Sequence, residues 1–244
     1  KTLILIPSRM SATRLPGKPL LKINNLSIIS HVFKKAEEAN IGEVVVATED
    51  KEILDDVEKN GGRAILTGNT HKTGTDRIFE AYEKLNIKDI DFVLNLQGDE
   101  PNIDKNDIIN LNNLMINTSS EIGTLASEIK SDKMLSDQNV VKVITEAKLE
   151  KDNFPIALNF TRDNFSKNNQ NIYHHIGIYS YKTSILKKFV SLNQTSGEKQ
   201  NRLEQLRALD NNLKISVALA NFSPIGVDTK EDYLAIKKIM EYKS

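Results

Sequence analysis

The chain of 244 residues contains no cysteine and no tryptophan. Without cysteine, disulfides, thiolate metal sites and cysteine nucleophiles are excluded together, and a reducing compartment, the cytosol, is the expected setting. Neither charge is in excess. Lys plus Arg and Asp plus Glu each number 33, giving a formal net charge of zero. This removes any general electrostatic drive toward nucleic acid or an anionic membrane, so a function that needs cations must concentrate them locally. Long apolar runs are also missing. Leu3 to Pro7 and Val44 to Ala47 are strand-length, far short of the roughly 20 residues of a membrane-spanning helix. The opening residues Lys1 to Pro7 lack the basic region, long hydrophobic stretch and small-residue cleavage site of a signal peptide, so export is not expected. A chain of this length buries a sizeable core, and a single domain over residues 1–244 is the simplest expectation.

What is present is an alternation of short β-rich apolar runs with helix-period segments. That is the pattern of a Rossmann-like, mainly parallel sheet flanked by helices, an α/β fold. Strands are expected at Leu3 to Pro7, Val44 to Ala47, Ala64 to Leu66 and Phe92 to Leu96. Helices are expected at Ser27 to Ala39, with Ser27 as N-cap, and at Lys51 to Lys59, Thr75 to Leu85 and Lys105 to Met115. The second half is richer in β pattern, at Ile122 to Ile129, Val140 to Thr145, Ile156 to Phe160 and Tyr173 to Tyr181. This predicts a smaller β-rich lobe with some antiparallel pairing. Helices at Ser184 to Ser191 and Arg202 to Asp210, a strand at Ile215 to Ala220 and a helix at Lys230 to Met240 complete the chain. The Asn-rich stretch Asp163 to Asn171 is expected to be a surface loop.

The most informative segment follows the first strand. Pro7 to Leu20 places Arg9, Arg14 and Lys18 within ten residues. Ligands of open α/β sheets bind at the carboxyl ends of the strands, so these cations stand where a polyphosphate is expected. The loop lacks G-x-G-x-x-G, and Gly17-Lys18 is followed by Pro19 where a Walker loop needs Ser or Thr. By composition alone such a loop is equally well a solvated basic surface.

Carboxylates stand at two further points. Gln97-Gly98-Asp99-Glu100-Pro101 closes the fourth strand, and Asp99 at such a turn is a good magnesium-ligand position. Asp228 precedes the last helix, where capping is the ordinary explanation. Thr75, in His71-Lys72-Thr73-Gly74-Thr75-Asp76-Arg77, is a candidate cap for its helix, with Asp76 complementing the dipole. His175 and Tyr179 alternate with apolar residues and share a strand face. His174 and His175, as strand neighbours, point to opposite faces and do not jointly bind a metal. Glu204 and Gln205 read by themselves as polar positions of an amphipathic helix.

The string Arg9-x-x-x-x-Arg14-Leu15-Pro16-Gly17-Lys18-Pro19-Leu20, with the segments above in the same order, resembles the 3-deoxy-manno-octulosonate (KDO) cytidylyltransferase family. The resemblance runs from the first strand to Asp228. It implies that Arg9, Arg14 and Lys18 bind the triphosphate of CTP, that Asp99 and Asp228 coordinate Mg²⁺, and that Gln97 lies against the nucleotide. It assigns Thr73 and Gly74 to cytosine recognition, with Thr73 where the family usually has Ser. The sugar acid falls to Arg162, His175, Tyr179, Glu204 and Gln205. Here the pattern departs from the family: Asn159 stands for Tyr, Thr161 for Ser, and Phe165-Ser166 for an Ile-Pro. A modified acceptor such as 8-amino-KDO is therefore an alternative, and a nucleotide-binding protein without turnover is another. The resemblance also implies catalysis by Lys18, Asp99 and Asp228, a homodimer, and work in the cytoplasm of a bacterium that builds lipopolysaccharide. Residues 1–120 are then mainly nucleotide-binding, and 121–244 mainly sugar-binding and dimerising.

Overall fold

Leu3 to Ile6 are wholly buried, as a near-continuous apolar run must be when a parallel strand is covered on both faces. In the computed structural model, which describes residues 1–165 and 171–242, they form the centre of strand β1 (Thr2–Ser8). A single 3-10 turn (Lys18–Leu20) follows, entered through Gly17 at φ 71, a conformation that favours glycine. A small hairpin, β2 (Lys22–Ile23) and β3 (Leu26–Ser27), turns on Asn24 and Asn25, both at positive φ. Next come α1 (Ile28–Glu38), β4 (Gly42–Thr48), α2 (Lys51–Lys59), β5 (Ala64–Leu66), α3 (Gly74–Leu85) and β6 (Phe92–Asn95). Ser27 caps α1 as expected, accepting from the Ser30 N–H at 3.2 Å.

The chain packs as two units, Lys1–Ile108 with Pro224–Ser244, and Ile109–Ser223. In the first, β1 pairs in parallel with β4 on one side and β6 on the other, and β5 extends the sheet beyond β4. Helices α1, α2 and α3 pack on this sheet. The chain therefore runs outward from β1 through β4 to β5, then returns to place β6 on the opposite side of β1. That reversal makes the carboxyl ends of β1 and β6 a topological switch point, where α/β sheets bind ligands.

Helix α4 (Lys105–Thr118) carries the chain into the second unit, which continues with β7 (Ile122–Ser127), α5 (Asp132–Ser136), β8 (Lys142–Thr145), β9 (Ala157–Thr161), β10 (Ile172–Lys182), α6 (Thr183–Ser191), α7 (Ser196–Asn201), α8 (Leu206–Asp210) and β11 (Ile215–Leu219). Its strands are mainly antiparallel: β7 with β10, β10 with β8, and β8 with β9, while β11 joins β7 in parallel. Helix α9 (Lys230–Glu241) returns to the first unit.

Two expectations change. The helix predicted over Arg202 to Asp210 begins only at Leu206, because Arg202 adopts φ 52 and closes a separate short helix, α7. Helix α7 opens on a capping box between Thr195 and Glu198. The cap of α3 is Thr73 rather than Thr75, its hydroxyl accepting from the Asp76 N–H at 3.1 Å. Residues 166–170, in the stretch expected to be a surface loop, lie outside the described residues. No helix among the described residues is long and apolar enough to cross a membrane.

Candidate active site

The loop after β1 folds back on itself, with the N–H groups of Ala12 and Gly17 both donating to the Met10 carbonyl at 2.9 and 3.0 Å. Asp50 secures the same residue. It occupies the N-cap position of α2 without capping that helix, and instead accepts from the Met10 N–H at 2.7 Å. Beyond β6 the turn at Gly98 lies directly on β1, where a Cβ would sit 2.9 Å from the Pro7 carbonyl oxygen and 3.2 Å from Ile29. Gly98 is thus needed for close backbone approach rather than for a left-handed turn, and this approach brings Asp99 beside the basic loop.

Lys18 is the node of the site. Its ammonium, only 15% exposed, donates to Asp99 Oδ2 at 2.6 Å, to the Val227 carbonyl at 2.8 Å and to Asp228 Oδ1 at 3.1 Å. Burial alone would lower the pKa of Lys18, but the carboxylates of Asp99 and Asp228 more than offset it and hold the ammonium above its ordinary value. Lys18 is therefore charged at neutral pH. Arg14 reaches the other oxygen of Asp228, at 2.9 Å. The capping explanation for Asp228 fails here, because Thr229 caps α9 in a capping box with Asp232 and leaves the Asp228 carboxylate to face Lys18 and Arg14.

These groups line a cleft of about 370 Å³ together with Arg9, Thr73, Gly74 and Gln97. Every residue expected at the nucleotide end thus borders one cavity at the carboxyl ends of β1 and β6. Gly74 packs against Pro7, 3.1 Å from where its Cβ would stand, which seats the N-terminus of α3 on the loop after β1. Arg77 also borders the cleft. Neither the place of Arg77 at the cleft nor the bond of Asp50 to Met10 has a local signature in the sequence.

Glu100, next to Asp99, has its Oε2 buried and without a hydrogen-bond partner among the described residues. Burial, then the negative charges of Asp99 and Asp228, push its carboxyl from 4.5 up to about 8. Between those values the folded chain keeps a proton that the unfolded chain has released, so this group's contribution to stability falls as pH rises from 4.5 to 8. Glu100→Gln should remove that loss. In metal-free buffer, urea unfolding should show the variant gaining on the parent from pH 5 to pH 8, and a constant difference would contradict this.

In the second unit, His175 Nε2 lies 3.1 Å from both the Thr124 hydroxyl and the Tyr179 hydroxyl, and Phe160 meets the imidazole edge-on at 4.9 Å. His175 and Tyr179 thus do share a face. Burial, with a smaller effect of His174, pushes His175 down to about 3. Burial, with Tyr181 and Glu204, raises Tyr179 well above its usual range. Both are neutral at pH 7, suited to hydrogen bonding rather than proton transfer. His174 turns the other way, to the Ser223 hydroxyl at 2.7 Å. Glu204 has its Oε1 3.7 Å from Arg207, which is paired in two bonds with buried Glu198. Gln205 precedes α8 and makes no side-chain cap. Arg162 donates to the carbonyls of Gln138 and Asn139 at 3.2 and 3.3 Å. The structure thus joins His175 to Tyr179 directly and sets Glu204 in the electrostatic surroundings of Tyr179, while the hydrogen bonds of Arg162 go to the turn before β8.

Residues 3–215 match the family model described as cytidylyltransferase. A 3-deoxy-manno-octulosonate cytidylyltransferase of Thermodesulfovibrio yellowstonii is 43% identical, with 98% of each chain covered. One from Nitrobacter hamburgensis is 42% identical over 98% of this chain and 93% of its own. Among solved structures, a CMP:2-keto-3-deoxy-manno-octonic acid synthetase complexed with CTP superposes with a TM-score of 0.91 at 33% identity over the whole of both chains. A UTP-bound UGPase from Acinetobacter baumannii, at 11% identity and a TM-score of 0.72, shares the fold. The chain belongs to the 3-deoxy-manno-octulosonate cytidylyltransferase family.

Proposed function

We propose that the chain transfers the cytidylyl group of CTP to KDO, forming CMP-KDO and pyrophosphate for lipopolysaccharide synthesis. The observation that carries this reading is the convergence of Lys18, Asp99 and Asp228 in a cleft also bordered by Arg9 and Arg14. The anomeric hydroxyl oxygen on C2 of the sugar attacks the α-phosphorus of CTP. One P–O bond forms, the bond to the β-phosphate bridging oxygen breaks, pyrophosphate leaves, and the hydroxyl proton passes to solvent. Charge grows on the phosphate oxygens, so fixed cations aimed at them lower the barrier. Arg9, Arg14 and Lys18 take that role. Gln97, Thr73 and Gly74 position the nucleoside, while Arg162, His175, Tyr179, Glu204 and Gln205 hold the acid.

Asp99 and Asp228 would hold Mg²⁺. Two carboxylates that already converge on one ammonium suit a hard cation with oxygen ligands. Among the described residues no three His, Cys, Asp or Glu side chains form a metal cage, which agrees with an ion that takes its remaining ligands from phosphates and water. When bound, Mg²⁺ supplies neutralisation of phosphate charge. The same reading takes the chain to be a homodimer in the cytoplasm.

The test is pyrophosphate release with CTP and Mg²⁺ against KDO, 8-amino-KDO and sialic acid. Turnover with KDO above the others supports the reading. Preference for 8-amino-KDO reassigns the acceptor, and silence on every sugar favours a nucleotide-binding protein without turnover.

A further inference from the structure

Between the end of β5 and the start of α3 the chain crosses residues 67–73 without regular structure, and His71, Lys72 and Thr73 border the cleft. This crossing is tied down from one face of α3. Lys84 donates to the Leu66 carbonyl at 3.2 Å, and Arg77 donates to the Thr67 hydroxyl at 2.6 Å and the Gly68 carbonyl at 3.2 Å. Glu80 accepts from the Gly68 N–H with both oxygens, at 3.1 and 3.0 Å, and meets the His71 imidazole with Oε2. Arg77, Glu80 and Lys84 are spaced three and four apart, so they lie along one stripe of the helix. Gly68 is held on both its N–H and its carbonyl by that stripe. Arg77 is in turn fixed by an ion pair with Glu49, and Glu80 by Lys84 at 2.6 Å.

We propose that Glu80 is a positioning residue for base selection, fixing Gly68 and His71 so that Thr73 and Gly74 present one geometry to the nucleobase. This rests on the cytidylyltransferase reading, with Thr73 and Gly74 at the base. Glu80 does not border the cleft itself; it acts only through the segment it holds. Burial raises the Glu80 carboxyl, but Lys84, His71 and the Gly68 N–H outweigh it and draw it down to about 2, so the anion is present throughout the neutral range. A freed segment still closes the cleft but presents its polar groups less sharply. A site whose donors and acceptors are fixed discriminates bases that differ in hydrogen-bonding groups, and a loose one does so poorly.

The test compares Glu80→Ala and Glu80→Gln with the parent, using CTP and UTP at saturating KDO and then varying KDO at saturating CTP. Glu80→Ala should raise KM for CTP about tenfold, the lower end of what is lost when a partner that orients a metal ligand is removed. It should also lower the preference for CTP over UTP and leave KM for KDO unchanged. Glu80→Gln retains one acceptor oxygen and should fall between Glu80→Ala and the parent, and it decides the matter if the alanine variant does not fold. An unchanged CTP to UTP preference in a folded variant overturns the proposal, as does an equal rise in KM for both substrates, which marks general loosening. Calorimetric affinities for CTP and UTP give the same comparison without turnover. An inactive parent counts against the cytidylyltransferase reading, whereas an active parent with unaltered variants counts against Glu80 alone.

Discussion

Asp99→Asn should lower kcat by about a thousandfold, the scale seen when one strong electrostatic contact to a reacting centre is removed, while leaving the cooperative unfolding of the first unit intact. Asp99 accepts the shortest of the hydrogen bonds that Lys18 makes, 2.6 Å, from a turn held against β1 by Gly98. Asparagine keeps the volume and one carbonyl oxygen, so packing survives. What is lost is the charge that fixes Lys18 and that would take Mg²⁺. Steady-state rates at saturating CTP, KDO and Mg²⁺, alongside urea unfolding, check this. A near-parental kcat means the charge of Asp99 is not used in the reaction.

Lys18→Met should be of similar size on turnover, with the opposite electrostatic consequence. Lys18 is the cation that lies between Asp99 and Asp228, and removing it leaves those carboxylates close together, with Asp228 still paired to Arg14. Like charges held close destabilise the fold, so in metal-free buffer the variant should melt below the parent. Added Mg²⁺ should then raise its melting temperature more than it raises that of the parent, because a divalent ion takes the place of the lost ammonium. Turnover should fall by roughly a hundredfold to a thousandfold, since the lysine charge on the phosphates is missing even when the metal is present. Equal Mg²⁺ shifts in the two proteins would contradict the shared carboxylate site.

The lining of the cleft was legible in the sequence because its residues sit at ends of elements that announce themselves. A wholly apolar β1 stops at Ser8 and three cations follow; β6 stops at Asn95 and a Gly-Asp turn follows. Elements with periodic apolar faces, such as α1 and α2, fall within a residue of where the pattern puts them. What escaped depends on contacts between distant positions. Asp50 looks like a cap and holds Met10 instead, 40 residues away. Glu80 looks like a solvated helix position and holds Gly68 and His71. Asp228 reads as a cap until the competing box of Thr229 and Asp232 is seen in place. The break at Arg202 was hidden because α7 is short and polar, although Thr195 and Glu198 at capping-box spacing were there to be read. The Asn24-Asn25 pair was likewise a readable two-residue hairpin signal.

The residues expected to hold the sugar acid are less completely described by sequence for a physical reason. His175 and Tyr179 are read from a two-residue period, which the structure keeps on one face despite a register shift between Ile176 and Tyr179. Glu204 and Gln205 fall in the turn between α7 and α8, where no period applies.

If this cleft joins CMP to KDO through attack at the α-phosphorus, CMP-KDO and pyrophosphate form together and only when KDO is present. Phosphorus-31 NMR of the parent with CTP, Mg²⁺ and KDO tests this most directly. Loss of the three CTP resonances is expected, with growth of one phosphodiester signal and of a pyrophosphate signal of twice its area, both dependent on KDO. Orthophosphate with CDP, or an unchanged CTP spectrum, would contradict it.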